Sequence, residues 1–265
     1  MSLAIESPLQ KNNFISNEAV AYALNIQRGI LPKKRHLKKI SPDFGIIWKP
    51  HSVLSGDFYW VSEKNNEFYV CVGDCTGHGI AASLLTVMGI NLLNYIVLGK
   101  DFSKLGDYLN ELDKKWIETF QAEEESGNFN NDWLELSLIK INKKQQTVEF
   151  SGAKSKIIIK RKNELLQFRG DNFPIGGWQI EDERNFTSTV IHYENGDEIF
   201  LFTDGIVDQF GGYNDKRFGI KQLKSILKLD LNSVNEKIQF LDETLSEWQN
   251  DNIQTDDMTI LGIKL

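Results

Sequence analysis

The 265-residue chain is predicted to have an α+β fold, in which two mainly antiparallel sheets face each other and helix pairs lie outside them. Short runs of β-branched and aromatic residues separated by turns are typical of antiparallel strands. Apolar residues at helical spacing occur in two pairs of adjacent helix-length segments. The order is therefore strands, two helices, many strands, two helices and one strand, which does not alternate as a parallel βαβ sheet would.

The first 41 residues are predicted to form a helix and a basic linker, followed by one domain over residues 42–265. Apolar residues at steps of three and four predict a helix over about Asn17–Leu31, with Ser16 as its N-cap and Pro32 ending it. This helix either packs on its own domain or couples the domain to another chain or an upstream module. The basic stretch Lys33–Lys39 is predicted to be a solvated linker.

The strands and helices of the domain are predicted from hydrophobic periodicity and from the turns between them. The polar turn at Glu63–Asn66 predicts a hairpin between its flanking strands. The predicted strands are about Phe44–Trp48, Phe58–Val61, Glu67–Val72, Leu134–Ile141, Thr147–Phe150, Lys156–Lys160, Leu165–Phe168, Phe186–His192, Glu198–Thr203 and Met258–Lys264. The predicted helices are about Ile80–Leu98, Phe102–Glu124, Ile220–Leu227 and Ser233–Trp248.

Composition argues against several classes of function. A formal net charge of −7 disfavours a nucleic-acid-binding surface, which needs clustered lysine and arginine. Cys71 and Cys75 are the two cysteines, too few for a structural zinc site, and are expected to be small core residues in a reducing compartment. We find no uninterrupted apolar run of about 18 residues and no signal-peptide pattern, so the sequence predicts a cytoplasmic chain without a membrane segment.

The stretch Val72–Leu84 carries the strongest local signal. A buried strand is predicted to end at Asp74 and to turn through Gly73, Gly77 and Gly79 into a helix. Glycines permit positive φ and close approach of the backbone to a ligand, and free N–H groups at a helix start favour anions. A carboxylate for a cation would then lie beside a backbone site for phosphate.

His78 follows this acidic residue by four positions, at the predicted helix start. One interpretation is that its side chain only packs against the glycine turn. The other, which its position in the motif favours, is that it lies near a reactive site, and a role in proton transfer stays open.

Acidic residues stand where four predicted strands begin or end, at Asp57, Asp74, Asp204 and the pair Asp256 and Asp257. A single such residue is most often a turn residue or helix cap. If the strand ends converge, however, the crowded carboxylates would require compensating cations. All-oxygen ligands favour Mg²⁺ or Mn²⁺, and two such ions can ionise a water that attacks a phosphate ester.

Six motifs in sequence order resemble the SpoIIE-like branch of the PPM (phosphatase 2C-type) metal-dependent serine/threonine phosphatases, over about residues 44–265. They are Ser55-Gly-Asp-Phe-Tyr-Trp60, Gly73-Asp-Cys-Thr-Gly-His-Gly79, Ser151-Gly-Ala153, Pro174-Ile-Gly176, Thr203-Asp-Gly205 and Asp256-Asp-Met-Thr259. The resemblance implies an α-β-β-α sandwich with a centre of two Mn²⁺ or Mg²⁺ ions at one end.

The resemblance also implies ligand roles. Asp74 would bridge both ions, and the backbone carbonyl of Cys75 would bind one of them. Asp204 and Asp256 would be further direct ligands, whereas Asp57 would act directly or through water.

The sequence departs from the family pattern at several positions. Asp257 stands where many relatives carry asparagine, which makes its ligand role less definite. Asp208 replaces a common glutamate, and Trp133-Leu-Glu-Leu-Ser137 is a loose version of a family strand. No arginine adjoins Ser55-Gly-Asp57, so phosphate is expected to rely on metal ions and backbone N–H groups.

Kinship implies substrates that carry phosphoserine or phosphothreonine, such as small anti-sigma-factor-antagonist proteins. The segment Gln27–Pro32 resembles the stretch that couples a sensor module or regulatory protein to the catalytic domain, and a homodimer is one assembly it would allow. Two alternatives remain: a catalytically silent relative that binds a partner, and a GHKL-type ATP-binding domain suggested by Asp74-x-x-Gly77-x-Gly79. The second would need an asparagine-bearing helix upstream, where strands are predicted.

Overall fold

A computed structural model describes residues 8–124, 131–177 and 184–265. The helices are α1 (Pro8–Ile30), α2 (Lys34–Ile40), α3 (Ile80–Gly99), α4 (Leu105–Glu124), α5 (Gly205–Asp208), α6 (Gly219–Leu227) and α7 (Val234–Gln249). The strands are β1 (Phe44–Lys49), β2 (Asp57–Lys64), β3 (Glu67–Cys75), β4 (Trp133–Asn142), β5 (Thr147–Ala153), β6 (Lys156–Arg161), β7 (Glu164–Arg169), β8 (Ile175–Gly176), β9 (Thr189–His192), β10 (Glu198–Phe202), β11 (Phe210–Gly211), β12 (Lys216–Arg217) and β13 (Met258–Lys264).

Two antiparallel sheets form the centre of the molecule. One has the strand order β1-β13-β10-β6-β7, and the other has the order β2-β3-β4-β5-β9 with β8 paired to β4. The predicted hairpin is present, and its turn residues Asn65 and Asn66 both have positive φ, as a tight two-residue turn requires. The predicted α+β class with two antiparallel sheets is confirmed.

Three apolar layers hold the sheets and helices together, because strand residues alternate between the two faces of a sheet. On β3, Val70 and Val72 pack between the sheets, whereas Tyr69 and Cys71 pack with residues of α3 and α4 on the outer face. Ile158 on β6 likewise packs outward with residues of α6 and α7. The layer order is therefore helices, sheet, sheet, helices.

The N-terminal segment differs from its prediction. Helix α1 begins at Pro8, so Ser16 lies inside the helix and is not its N-cap. The basic stretch predicted to be a solvated linker forms helix α2, in which Lys38 and Lys39 are exposed. Leu37 and Ile40 on α2 are buried in the layer between the sheets, and their apolar contacts stabilise the short helix. A domain boundary at residues 41/42 stays a prediction.

Helix α3 bears on the prediction that the chain has no membrane segment, although polar residues interrupt its apolar sequence. Its sequence carries no charged residue, and by length and composition alone it could cross a membrane. Half of its most apolar window is buried within the domain, and it contacts α4, β2 and β3. A core helix passes the same test, so the finding is weak evidence for a membrane span.

Other differences concern element ends. The strand predicted over Phe186–His192 begins at Thr189, because the Phe186 N–H donates to the Asn110 side chain and not to a neighbouring strand. The short elements β8, α5, β11 and β12 were not predicted. Most of the polar loop predicted at residues 123–131 lies outside the described residues.

Substituting Gly176 should destabilise the fold, because its φ is +72° and an added Cβ would lie 2.2 Å from the Trp116 ring. We expect Gly176→Ala to lower the free energy of unfolding by about 2–5 kcal/mol, from left-handed backbone strain and overpacking. Denaturant unfolding followed by circular dichroism measures it.

Gly29→Ala is the matched control, since a Cβ at this position in α1 meets nothing within 4 Å. We expect it to stabilise the chain by about 0.5–1 kcal/mol. Equal effects of the two substitutions would contradict the contacts described for Gly176.

Candidate metal centre

Strand pairing in the six-stranded sheet brings three acidic residues side by side. Asp57 is the first residue of β2 and lies opposite Asp74 on β3, which in turn lies opposite Glu135 on β4. The register of the sheet, set by the alternating apolar residues further along these strands, therefore fixes this acidic row at the sheet's end.

The five-stranded sheet contributes residues from the end of β10 and the start of β13. Thr203 follows β10, its backbone N–H donates to the Thr259 carbonyl at 2.9 Å, and its hydroxyl donates to Asp57 Oδ2 at 2.7 Å. Asp204 comes next in the chain, and Asp256 precedes β13. A hydrogen bond thus joins the two sheets at the acidic end of the sandwich.

Asp57 is almost fully buried, with 1% of its surface exposed. Burial raises the pKa of its carboxyl well above the usual range; the Thr203 hydrogen bond lowers it, and the nearby charge of Asp257 raises it. Its Oδ1 atom has no hydrogen-bond partner among the described residues. A buried carboxylate oxygen without a hydrogen bond requires another partner, such as a cation.

The negative charges of several neighbouring carboxyls act on Asp74. Burial, together with the charges of Asp57 and Asp204, raises its pKa to about 10. Asp204 lies close enough to Asp74 for the two carboxyls to interact, and this interaction lowers the pKa of Asp204.

Asp204 and Asp256 complete the group at its more open side. Burial is the main cause of the raised pKa of both carboxyls. In Asp204, the negative charge of Asp256 raises the pKa further. His51 and His78 act in the opposite direction on the pKa of Asp256. The two imidazole rings lie 4.9 Å apart, and His51 Nδ1 is buried without a partner among the described residues.

The donor set fits a hard divalent cation. Among the described residues, no three His, Cys, Asp or Glu side chains lie close enough together to hold a metal ion as they stand. The carboxyls nevertheless lie close enough for their charges to raise one another's pKa. Their oxygens are the ligands that Mg²⁺ and Mn²⁺ prefer. The four residues that fit are Asp57, Asp74, Asp204 and Asp256.

Asp257 has a different environment from the one predicted for a ligand. Its Oδ1 accepts the His51 N–H and its Oδ2 accepts the Gly56 N–H, both at 2.6 Å. These bonds anchor the loop of residues 50–56 that leads into Asp57. Its ligand role stays a prediction, whereas its contacts are those of a residue that positions the loop.

The glycine turn has the backbone that the sequence predicts, with φ of +81° at Gly77 and +77° at Gly79. Strand β3 continues to Cys75, however, so Gly73 lies within the strand and not in the turn. The Cys75 carbonyl, a predicted ligand, lies 3.0 Å from the point where a Cβ of Gly56 would be. A side chain there would collide with this carbonyl, and the Cys75 side chain itself is buried.

His78 is exposed in the same turn. Its ring lies near that of His51 and its charge acts on Asp256, but among the described residues it forms no hydrogen bond to a carboxyl. Its neighbour His51 was missed, because the recognised motif in this loop begins only at Ser55, four residues later.

Gln27 on α1 is a second residue that sequence reasoning missed. Its side chain is buried and forms two hydrogen bonds with the backbone of Ser55. Nε2 donates to the Ser55 carbonyl at 2.6 Å, and Oε1 accepts a hydrogen bond from the Ser55 N–H at 3.1 Å. Nε2 also lies 3.2 Å from Thr86 Oγ1 on α3. The only signal in the sequence was the position of Gln27 in the segment that resembles the family's coupling stretch.

A cleft of about 200 Å³ adjoins the carboxyls. Asp74, Asp204 and Glu135 line it, together with the cationic residues Lys154, Lys156 and Arg169 and with backbone and side chains of the β5–β8 region. An anionic substrate group can therefore meet both a cation site and positively charged side chains in one cavity.

Comparison of the chain with known proteins identifies its family. The family model described as Stage II sporulation protein E (SpoIIE) matches residues 64–265. No curated protein sequence matches the chain.

Solved structures share the fold. The SiaA-PP2C domain of Pseudomonas aeruginosa aligns with a TM-score of 0.85 at 25% identity, covering 98% of this chain and all of that one. The SpoIIE phosphatase domain of Bacillus subtilis with part of its regulatory domain aligns with a TM-score of 0.67 at 20% identity, covering 84% of this chain and 62% of that one. RsbX in complex with magnesium aligns with a TM-score of 0.55 at 18% identity, covering 84% and 94%. The chain therefore belongs to the SpoIIE family of PP2C-type phosphatase domains.

Proposed function

We propose that this chain is a divalent-cation-dependent phosphatase that hydrolyses phosphoserine or phosphothreonine in a protein substrate. The observation that carries the proposal is the convergence of Asp57, Asp74, Asp204 and Asp256, which leaves a buried oxygen of Asp57 without a partner. Family membership supports the reaction class, and the magnesium complex of the similar protein RsbX supports the type of ion.

Two Mn²⁺ or Mg²⁺ ions bound here would supply a water of lowered pKa and would neutralise charge on the phosphate. Asp74, Asp204 and Asp256 would hold them, with Asp57 and the Cys75 carbonyl as further ligands. The backbone at Gly77 and Gly79 would approach the phosphate, since no side chain blocks it. His78 is the candidate proton donor to the departing serine or threonine oxygen.

The proposed substrate is a small phosphoprotein of the anti-sigma-factor-antagonist type, in the cytoplasm. Membership of the SpoIIE family supports this choice. The GHKL-type ATP-binding alternative is not supported, because Gly77 and Gly79 join a sandwich strand to a core helix in a PP2C-type fold. The silent-relative alternative would be marked by loss of an acidic residue, and all the proposed positions are filled.

Helix α1 is proposed to connect a sensor module, a regulatory protein or a second copy of the chain to the active site. The contacts of Gln27 support this, because they tie α1 to Ser55, two residues before Asp57. A displacement of α1 would release buried backbone groups at the entrance to β2.

Metal-free protein should become less stable as the pH rises. The pKa of Asp74 is raised to about 10 in the folded chain against about 4 when unfolded, so the folded state binds the extra proton between these values. The free energy of unfolding should therefore fall between pH 4 and pH 10. Thermal unfolding in EDTA at several pH values measures this.

Asp74→Asn should weaken that pH dependence and raise the Tm in EDTA at pH 8. Mn²⁺ should raise the Tm of the wild type at this pH but have little effect on the variant. Asp251→Asn, an exposed acid-to-amide control, should behave as the wild type does. A wild-type Tm that does not respond to Mn²⁺ would contradict the proposed cation site.

Hydrolysis of para-nitrophenyl phosphate should require Mn²⁺ or Mg²⁺. Asp74→Ala and Asp256→Ala should each lower kcat/KM by about a hundredfold or more, the scale of losing a group that stabilises transition-state charge. Steady-state assays with and without EDTA test this. Robust turnover in excess EDTA would refute the mechanism, and normal turnover of both variants would refute the ligand assignment.

Gln27→Ala should weaken the link between α1 and the active site. The Ser55 N–H and carbonyl would lose their buried partner, at a cost of about 1–3 kcal/mol each. We expect a lower Tm and a higher Mn²⁺ concentration for half-maximal activity. Arg28→Ala, an exposed neighbour on the same helix, is the control. Unchanged metal dependence in Gln27→Ala would leave α1 with a packing role only.

A further inference from the structure

Lys156 and Arg169 face each other at the end of the β6–β7 hairpin that borders the cleft. They are directly opposite in an antiparallel pair, where like charges destabilise a sheet. Within the described part of the chain, neither side chain forms an ion pair with an acidic group at 4.0 Å or less. Two cations without a direct ion pair therefore lie beside the proposed active site.

The rest of the same hairpin has balanced charge. At its far end, Arg161 lies opposite Glu164, and Arg161 also forms an ion pair with Asp197 at 2.7 Å. Lys160 forms an ion pair with Asp230. Unmatched cations are thus confined to the end of the hairpin that lines the cleft.

The third cation of the cleft, Lys154, is already neutralised. Its Nζ donates to Glu135 Oε1 at 2.5 Å, next to Asp74 in the sheet register. Lys154 is therefore paired directly with the acidic row, whereas Lys156, which only influences Glu135 through its charge, and Arg169 can contact a ligand directly.

The position of Lys156 is fixed by an aromatic contact. Its Nζ lies 5.7 Å from the centroid of the Phe202 ring, a cation–π arrangement. Phe202 is the last residue of β10 and stands two residues before Asp204. The ammonium group is therefore held close in the fold to a proposed metal ligand, while Arg169 is exposed to an approaching molecule.

We propose that Lys156 and Arg169 form an anion subsite of the cleft that binds a phosphoryl or carboxylate group of the phosphoprotein substrate. This inference rests on the proposed phosphatase function and specifies in addition which kind of charged group on the substrate is bound. Because the chain has a net charge of −7, an acidic partner would be repelled by much of the surface and attracted at this subsite. The two cations would then set substrate affinity and orientation.

The test uses Lys156→Gln, Arg169→Gln and the double variant in the full chain at saturating Mn²⁺. Lys144→Gln is matched for charge change, because Lys144 is exposed in the β4–β5 turn and its side chain has no hydrogen bond or ion pair among the described residues. The substrates are para-nitrophenyl phosphate and two phosphoserine peptides, one with acidic and one with neutral flanking residues. Each is assayed at two salt concentrations.

The double variant should raise KM about tenfold or more with little change in kcat, as expected for the loss of charge-assisted contacts. Arg169→Lys should retain most of the affinity, and the wild-type KM should rise with salt. A KM effect on all three substrates assigns the subsite to the phosphoryl group. An effect confined to the acidic peptide assigns it to the flanking carboxylates.

An unchanged KM for all three substrates, or the same effect in Lys144→Gln, would overturn the subsite. So would a change only in the Mn²⁺ requirement, because the cations would then merely balance the acidic row. If the wild type hydrolyses none of the substrates, the proposed phosphatase function fails, and fluorescence anisotropy with the labelled acidic phosphopeptide still tests the subsite. Weaker binding by the double variant supports it, and equal binding overturns it.

Discussion

The fold brings the carboxyls of Asp74 and Asp204 together where burial removes the water that would screen their charges, so the pKa of each carboxyl is raised. Sheet register places Asp57 beside Asp74, and the second sheet adds Asp204 and Asp256. In the absence of a cation, retained protons and the Thr203 hydroxyl are what reduce the repulsion. A site that is unfavourable for the fold alone is the expected mark of function.

The rest of the molecule serves to hold this end of the sandwich together. Three apolar layers fix the two sheets face to face, so that strand ends distant in sequence become neighbours. The 50–56 loop is tied from two directions, by Asp257 through His51 and Gly56 and by Gln27 through Ser55. The position of Asp57 thus depends on both the last strand and the first helix.

Local patterns predicted most of the elements and the acidic strand ends, because hydrophobic periodicity and turn chemistry act over a few residues. They failed for α2, where burial of Leu37 and Ile40 decides the structure of a basic segment. They also failed for Gln27 and for the anchoring contacts of Asp257, whose partners lie 28 to 206 residues away along the chain. These contacts form only when the sheets pack together, so no short sequence motif predicts them.

The measurement that tests the central claim most directly is anomalous X-ray diffraction from crystals of this chain grown with Mn²⁺. The account predicts two anomalous peaks at the end of the sandwich, bound by Asp74 together with Asp204, Asp256 or Asp57. Peaks elsewhere, or none at a saturating Mn²⁺ concentration, would contradict the proposal that these carboxyls form a cation site.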